Sequence, residues 1–382
     1  MDTTPRYELV TETYPPEING VALTVQSLHD GLMALGASVG LVRPARDGET
    51  TGGDADLLRV AGVPVPRYPS LRFGLPSGGA LAARWTRHRP AAIYVATEGP
   101  LGWSALRTAR RLRIPVATGF HTRFDDYVGR YGAGFLAPLV FAGLRRFHNA
   151  GQATLVPTRE LVDDLGQQGF RHVARLGRAV DTLRFHPGAR SEALRRQWGA
   201  DGCDPVLVHV GRLAPEKNLP LLLRAYDAIR AERPRTRLVL VGDGPERAAL
   251  AASRPDLVFT GMLRGEALAA AFASGDAFVF PSLSETFGNV TLEAMASGLA
   301  TVAFDYGAAR EHLVDGRHGA CVAFGDELGF IDAARTVLTS PALPDLRRAA
   351  RQAVEGLSPE QVSRDFAALL AGLAAPRLAR AA

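Results

Sequence analysis

Lysine is nearly missing from this sequence. Of the 44 Lys+Arg in 382 residues, only Lys217 is a lysine and the other 43 are arginine. Whatever bias replaced lysine elsewhere spared this one position, so its neighbourhood is the place to look for a reason. Cysteine is equally scarce. Cys203 and Cys321 lie far apart without a CxxC or Cys/His cluster, which excludes a disulfide framework and a structural zinc site. No run approaches the ~18–20 uninterrupted apolar residues needed to span a bilayer. The N-terminal MDTTPRYELV has no basic segment followed by an apolar one, so it does not read as a secretory signal. These absences predict a cytoplasmic protein.

Hydrophobic residues make up 47% and charged residues 22%, enough apolar side chain for large cores and too much for wholesale disorder. At ~100–200 residues per domain, the length predicts two or three domains. The net charge of +5 is uneven: residues 1–186 hold 22 Arg against 16 Asp+Glu, a surplus of 6, which leaves −1 for the rest. First-half arginines gather at Arg84, Arg87 and Arg89, then at Arg107, Arg110, Arg111 and Arg113. Their spacing predicts solvated helix faces, with contact to an anionic membrane surface or a polyanionic acceptor as the functional alternative. No aromatic-basic recognition module accompanies them, so nucleic acid is not expected as a partner.

Apolar β-branched runs alternate with helical patterns throughout, which predicts an α/β protein built on parallel sheets. Strands are expected at 7–10, 38–42, 92–96, 116–119 and 154–156, then at 206–210, 237–241, 257–260, 277–280 and 301–304. The rhythm predicts two doubly wound domains, 1–186 and 187–358, joined near 184–190, where FHPGAR supplies the Pro and Gly of a connector. Ser358-Pro359-Glu360 opens a further helix, running to about Leu373, in a terminal segment 359–382. Residues 47–53, DGETTGG, read as a mobile loop.

Open α/β sheets bind ligands beyond the carboxyl ends of their strands, and three such ends carry chemistry here. Val210-Gly211-Arg212-Leu213-Ala214-Pro215-Glu216-Lys217-Asn218 places two cations on one Gly turn, which suits a diphosphate. Arg forks onto two oxygens and Lys acts as a point charge; the bland alternative is a surface loop with solvated cations. Val241-Gly242-Asp243-Gly244-Pro245-Glu246 lacks the third Gly of a dinucleotide fingerprint, and a tight turn capped by Asp243 is its better reading. The strongest segment runs from Pro281 to Gly298. There a polar loop containing Glu285 leads into a helix starting near Asn289, whose backbone amides and dipole form an anion site. Glu293 lies about one turn inside that helix. The two glutamates are therefore not an acid/base dyad, but they can accept hydroxyls from different parts of one extended ligand.

His121, in GFHTRFDDY, follows the expected strand 116–119 and is a candidate to line a site, against the common structural role of a lone histidine. Phe124, Asp125 and Tyr127 are candidates to contact an acceptor, with a helix cap as the alternative for the aspartate. Asp54-Ala55-Asp56 is a D-x-D string of the kind that holds a divalent cation, yet it lies away from any strong strand end and reads as chance. No metal is expected, since Arg212, Lys217 and the helix start can supply the positive charge.

Glu285 and Glu293 reproduce the E-x7-E arrangement of the retaining glycosyltransferases of family 4, and Phe287-Gly288-Asn289 is similar to the family's usual filling. The resemblance extends to Pro15-Pro16-Glu17-Ile18-Asn19-Gly20-Val21, the Arg212…Lys217 loop, Val241-Gly242-Asp243-Gly244 and Gly307-Ala308-Ala309-Arg310-Glu311. It implies a GT-B fold: two Rossmann-like domains facing across a cleft, the first holding the acceptor and the second the donor, with 359–382 crossing back to the first. No cofactor is implied. Residue by residue, it implies that Arg212 and Lys217 bind the donor diphosphate, Glu285 the transferred sugar's hydroxyls and Glu293 the ribose. Phe287, Gly288, Asn289 and Val290 would present loop and backbone groups to the donor. Gly20 would allow close approach of the diphosphate, with Asn19 where the family often has a second glycine. His121 resembles the family histidine near the reacting sugar.

The implied reaction is retaining, metal-independent transfer of a hexose from a nucleoside-diphosphate sugar to an acceptor hydroxyl, by front-face attack. His121-Thr122-Arg123-Phe124, Tyr131-Gly132 and Arg145-Arg146-Phe147-His148 look like the branch with GDP-mannose-dependent α-mannosyltransferases and glycolipid sugar transferases. This makes mannose from GDP-mannose the first expectation, with a glycolipid or polysaccharide precursor as acceptor at the inner face of the membrane. A UDP-glucose-type hexosyltransferase, a nucleotide-sugar 2-epimerase of the same fold and a non-catalytic nucleotide-sugar-binding protein are the alternatives.

Overall fold

The structure, a computed structural model, describes residues 4–17, 19–65, 68–121 and 137–375. The chain divides into two units, Met1–Gly177 with Pro359–Ala382, and Arg178–Ser358. The division precedes the connector expected at 184–190. Val180 and Phe185 are already buried in the second unit's core, and Arg351 of that unit donates to the carbonyls of Thr182 and Phe185.

In the first unit the strands are β1 (Arg6–Val10), β2 (Ser38–Pro44), β3 (Gly52–Gly53), β4 (Leu57–Val60), β5 (Gly62–Val65), β6 (Tyr68–Gly74), β7 (Ala92–Val95), β8 (Val116–Gly119), β9 (Ala153–Val156) and β10 (Val173–Arg175). Eight of them form one sheet in the order β10-β9-β8-β7-β1-β2-β4-β3, while β5 and β6 pair separately. All neighbours in the large sheet run parallel except β3 and β4. Because both faces are covered by helices, its central strands are mostly apolar rather than alternating, with Glu8 on β1 and Arg43 on β2 as buried exceptions. On β1, Tyr7 and Leu9 join one core layer and Val10 the other. The helix Pro359–Ala374 completes the first of these layers: Phe366 and Leu370 are fully buried there beside Leu28 and Leu32 of the helix Gly20–Ala34. Gly31 makes that helix crossing close, since a Cβ in its place would collide with Ser363.

One expectation fails in this unit, and segment 47–53 is anchored at Glu49: Arg43 donates to both of its oxygens at 2.6 and 2.7 Å, and the Arg46 N–H adds a third bond at 2.9 Å. The Arg43 guanidinium is the main cause that holds the Glu49 carboxyl down at about 2. Arg84 is not on a solvated face but buried, its Nε 2.7 Å from Glu8 Oε1. It also donates to the carbonyls of Asp54 and Ala55. The pair fits only because Gly40 has no side chain. Burial pushes Glu8 up to about 7, opposed chiefly by Arg84.

The second unit has β11 (Val206–Val210), β12 (Arg237–Val241), β13 (Val258–Gly261), β14 (Ala277–Phe280), β15 (Ala300–Phe304) and β16 (Gly319–Val322). They form an all-parallel sheet in the order β13-β12-β11-β14-β15-β16. Val206, Val208 and Val210 pack into one layer and Leu207 into the other. At the foot of β14, buried Asp276 gathers Arg190, Arg195 and Arg347 at 3.1–3.2 Å. That cluster ties the entry of the unit to two helices and a central strand.

Candidate active site

The order of the second sheet reverses between β11 and β14, which are hydrogen-bonded neighbours although three strands apart in sequence. The crevice outside the carboxyl ends of such a pair is where doubly wound sheets take ligands. Both motif loops leave the sheet there. The loop after β11 runs from Gly211 into a single 3₁₀ turn, Pro215–Lys217, and the loop after β14 runs from Pro281 to the helix Asn289–Ala296. They are stitched together by Leu283 N–H donating to the Glu216 carbonyl at 2.8 Å.

The Gly turns beneath are packed backbone to backbone. Leu213 N–H donates to the Asp243 carbonyl at 2.9 Å, and Glu246 N–H to the Leu213 carbonyl at 3.0 Å. Gly242 has φ +141°, and a Cβ there would collide with the Gly211 carbonyl oxygen. Asp243 Oδ1 accepts from Gly244 N–H at 2.8 Å, the tight capped turn expected for this segment.

Lys217 Nζ donates to Glu285 Oε1 and lies 3.5 Å from Ser282 Oγ. Buried Ser282 donates to the same Glu285 oxygen at 2.9 Å, and its carbonyl accepts from Tyr306 Oη at 2.8 Å. The ammonium also sits 5.3 Å from the centroid of Phe280. Arg212 lies further out, 39% exposed, with Glu216 Oε1 at 3.7 Å. Gly288 takes φ +91° to turn the loop into the helix, and its Cα faces the aliphatic part of Glu285. Asn289 and Val290, both half-buried, are the first two helical residues. Phe287 differs from its neighbours. Its ring is buried in the core and its carbonyl accepts from Ala308 N–H at 2.7 Å, so its side chain holds the loop. Glu293 is half-buried on the same helix, and burial pushes its carboxyl up to about 7, with Arg184 as the opposing cation.

Sequence reasoning missed Ser282 and His209. Ser282 had a signal, its position just past a strand's carboxyl end. His209 lies inside the apolar run of β11, fully buried, with Nδ1 3.0 Å from the Val279 carbonyl and its ring 5.8 Å from that of Phe280. Burial, with Lys217 as a lesser cause, lowers its pKa to about 4, so the imidazole under the lysine is neutral.

In the first unit, Gly20 opens its helix behind Asn19, whose side chain accepts from Ala22 N–H at 2.8 Å. Asn19 is thus an N-cap, which gives that position its own reason. No described atom lies within 4 Å of where a Gly20 Cβ would stand. His121 follows β8, half-buried, with Nε2 2.7 Å from Tyr94 Oη. Phe124, Asp125 and Tyr127 lie outside the described residues. Asp54 turns onto its own loop, accepting from Asp56 and Leu57 N–H at 2.9 and 3.0 Å. Among the described residues no group of three or more His, Cys, Asp or Glu could hold a metal ion.

Comparison with known proteins places this arrangement. Residues 204–340 match the family model for glycosyl transferases group 1, and residues 18–184 match that for glycosyltransferase family 4. A GDP-mannose-dependent alpha-mannosyltransferase of Mycolicibacterium smegmatis is 37% identical over 319 residues, covering 82% of this chain and 83% of the relative. The chain belongs to the family 4 glycosyltransferases. A protein of the same description from Mycobacterium tuberculosis is 36% identical over 332 residues, covering 84% of each chain. Among solved structures, sucrose-phosphate synthase from Thermosynechococcus elongatus superposes with a TM-score of 0.77 at 18% identity, covering 97% of this chain and 99% of that one. The glycosyltransferase therefore has the GT-B fold, with its two Rossmann-like units.

Proposed function

We propose that this glycosyltransferase moves mannose from GDP-mannose to an acceptor hydroxyl with retention of configuration and without a metal ion. The donor choice is supported by the likeness to GDP-mannose-dependent relatives over most of both chains. The observation that carries the chemistry is the convergence of Lys217, Ser282 and Glu285 at the switch point of the second sheet. Lys217 and Arg212 stabilise the diphosphate, Glu285 accepts hydroxyls of the transferred sugar, and Glu293 accepts those of the ribose. The amides of Gly288, Asn289 and Val290 and the helix dipole face the phosphate. Gly20, where no described atom would meet a side chain, leaves room for the diphosphate, and His121 lines the sugar site.

The anomeric C–O bond to the phosphate breaks while the acceptor oxygen bonds to the same face of that carbon. The departing phosphate oxygen takes the acceptor's proton. Negative charge grows on the diphosphate through this step, so fixed cations act on the barrier rather than on ground-state binding alone. A thermal-shift screen of GDP-, UDP- and ADP-sugars, followed by NMR of the product with and without EDTA, tests the reading. Preferential stabilisation by GDP-mannose and an α-linked product at an unchanged rate support it; selection of a UDP-sugar, an inverted product or loss of activity with EDTA refutes it.

The acceptor we infer is lipid-linked. On the helix Pro100–Leu112, Arg107, Arg110 and Arg111 are exposed along one stripe with Trp103, which carries Arg107 over its ring. Trp103 meets Phe147 at 5.1 Å, so the helix Ala137–His148 with exposed Arg146 lies alongside. Neither helix contains an acidic residue. Such a surface suits anionic headgroups. Among the described residues no helix is long and apolar enough to cross a membrane.

A further inference from the structure

We propose that Tyr94 is the positioning residue that fixes the imidazole of His121. The proposal rests on the reading of His121 as lining the sugar site. Tyr94 stands on β7, next to β8, and is 1% exposed, so its ring has no freedom to leave. Its hydroxyl is 2.7 Å from His121 Nε2, with the two rings nearly perpendicular at 86°. Gly119 lies beneath this hydrogen bond. Any Cβ there would collide with both Tyr94 Oη and His121 Nε2, so the glycine is what lets the phenol reach across β8. From the other side, Phe366 of the helix Pro359–Ala374 packs edge-on against the Tyr94 ring at 5.0 Å. A buried hydroxyl, held by its ring and given a clear path by a missing side chain, defines the orientation of a histidine that is itself only half-buried. A hydrogen bond to one ring nitrogen also decides which nitrogen carries the proton.

Tyr94→Phe removes the hydroxyl and keeps the ring against Phe366. In the full chain it should lower kcat for GDP-mannose turnover by roughly ten- to a hundredfold, the scale of a small misplacement of a site group. Donor KM and Tm should hardly move. His121→Ala should be at least as slow, and the double variant no slower than His121→Ala alone. Independently of any donor, the ring NMR titration of His121 should be displaced in Tyr94→Phe, and Gly119→Ala, which crowds the bond, should displace it too. Turnover by His121→Ala at the wild-type rate would overturn the reading of His121 on which the proposal rests. A crippled His121→Ala beside a Tyr94→Phe of normal kcat, additive losses in the double variant, or an unmoved His121 titration would overturn the proposal itself.

Discussion

Lys217 and Glu285, 68 positions apart, are ion-paired to each other where two loops meet at the end of the sheet. In the proposed reading each meets a different part of the donor, so the diphosphate and the sugar hydroxyls compete with a partner that each side chain already has. Lys217→Ala should lower kcat by roughly 100–1000-fold, the loss typical when one group that stabilises transition-state charge is removed. Glu285→Gln should also slow transfer, yet bind GDP more tightly than the wild type, because its lysine is released. Steady-state kinetics and calorimetric titration with GDP check the two halves.

Glu293 should make donor binding depend on pH. Its carboxyl is held up at about 7, far above the ~4.3 of a free glutamate, so it is largely protonated below neutrality. A protonated carboxyl has lost its charge and accepts from ribose hydroxyls more weakly than the carboxylate does. Donor affinity should rise as pH goes from 6 to 8, and the slope should vanish in Glu293→Gln, as titration at several pH values would show.

Glu49 titrates with the opposite sign. Its folded pKa, about 2, lies below that of a free glutamate, so its contribution is present above ~4.3 and fades as pH falls toward 2. Glu49→Gln should lower Tm at pH 7, and its gap from the wild type should narrow below about pH 4.5. Thermal melts across that range decide it.

Gly242→Ala should be costly. The substitution forces a side chain into φ +141° and against the Gly211 carbonyl, so about 1–3 kcal/mol of stability should be lost. Urea unfolding measures this, and donor binding should weaken because the Arg212–Lys217 loop rests on that turn.

The basic face of the first unit should drive membrane attachment. Replacing Arg110, Arg111 or Arg146 by alanine should each weaken binding to phosphatidylglycerol vesicles by about 1 kcal/mol, roughly fivefold. Sedimentation with phosphatidylcholine vesicles is the control, and equal binding to both lipids would contradict the assignment.

The central strands were legible because parallel strands buried on both faces are written as continuous apolar runs. Strands β3, β4, β5, β6, β10 and β16 were not, most being short and all carrying Gly, Pro or Arg in place of such a run. At the site, the lone lysine and the spaced glutamates announced themselves. Their pairing did not, since nothing local says that Lys217 reaches Glu285. His209 was hidden for the opposite reason: it occupies an interior position in an apolar strand, where sequence gives no hint that a neutral imidazole lies beneath a cation. Arg84 misled because charge ordinarily marks solvent, and here it had found a partner 76 positions away in sequence.

Phe366 and Leu370 belong to the first unit's interior but are supplied by a helix that follows all of the second unit. During synthesis Arg178–Ser358 is a contiguous stretch and can acquire its structure as it emerges. The sheet of the first unit must wait, with an apolar face uncovered, until Pro359–Ala374 has left the ribosome. The order of translation thus lets the second unit be completed before the first, which is the more exposed to chaperones and proteases meanwhile.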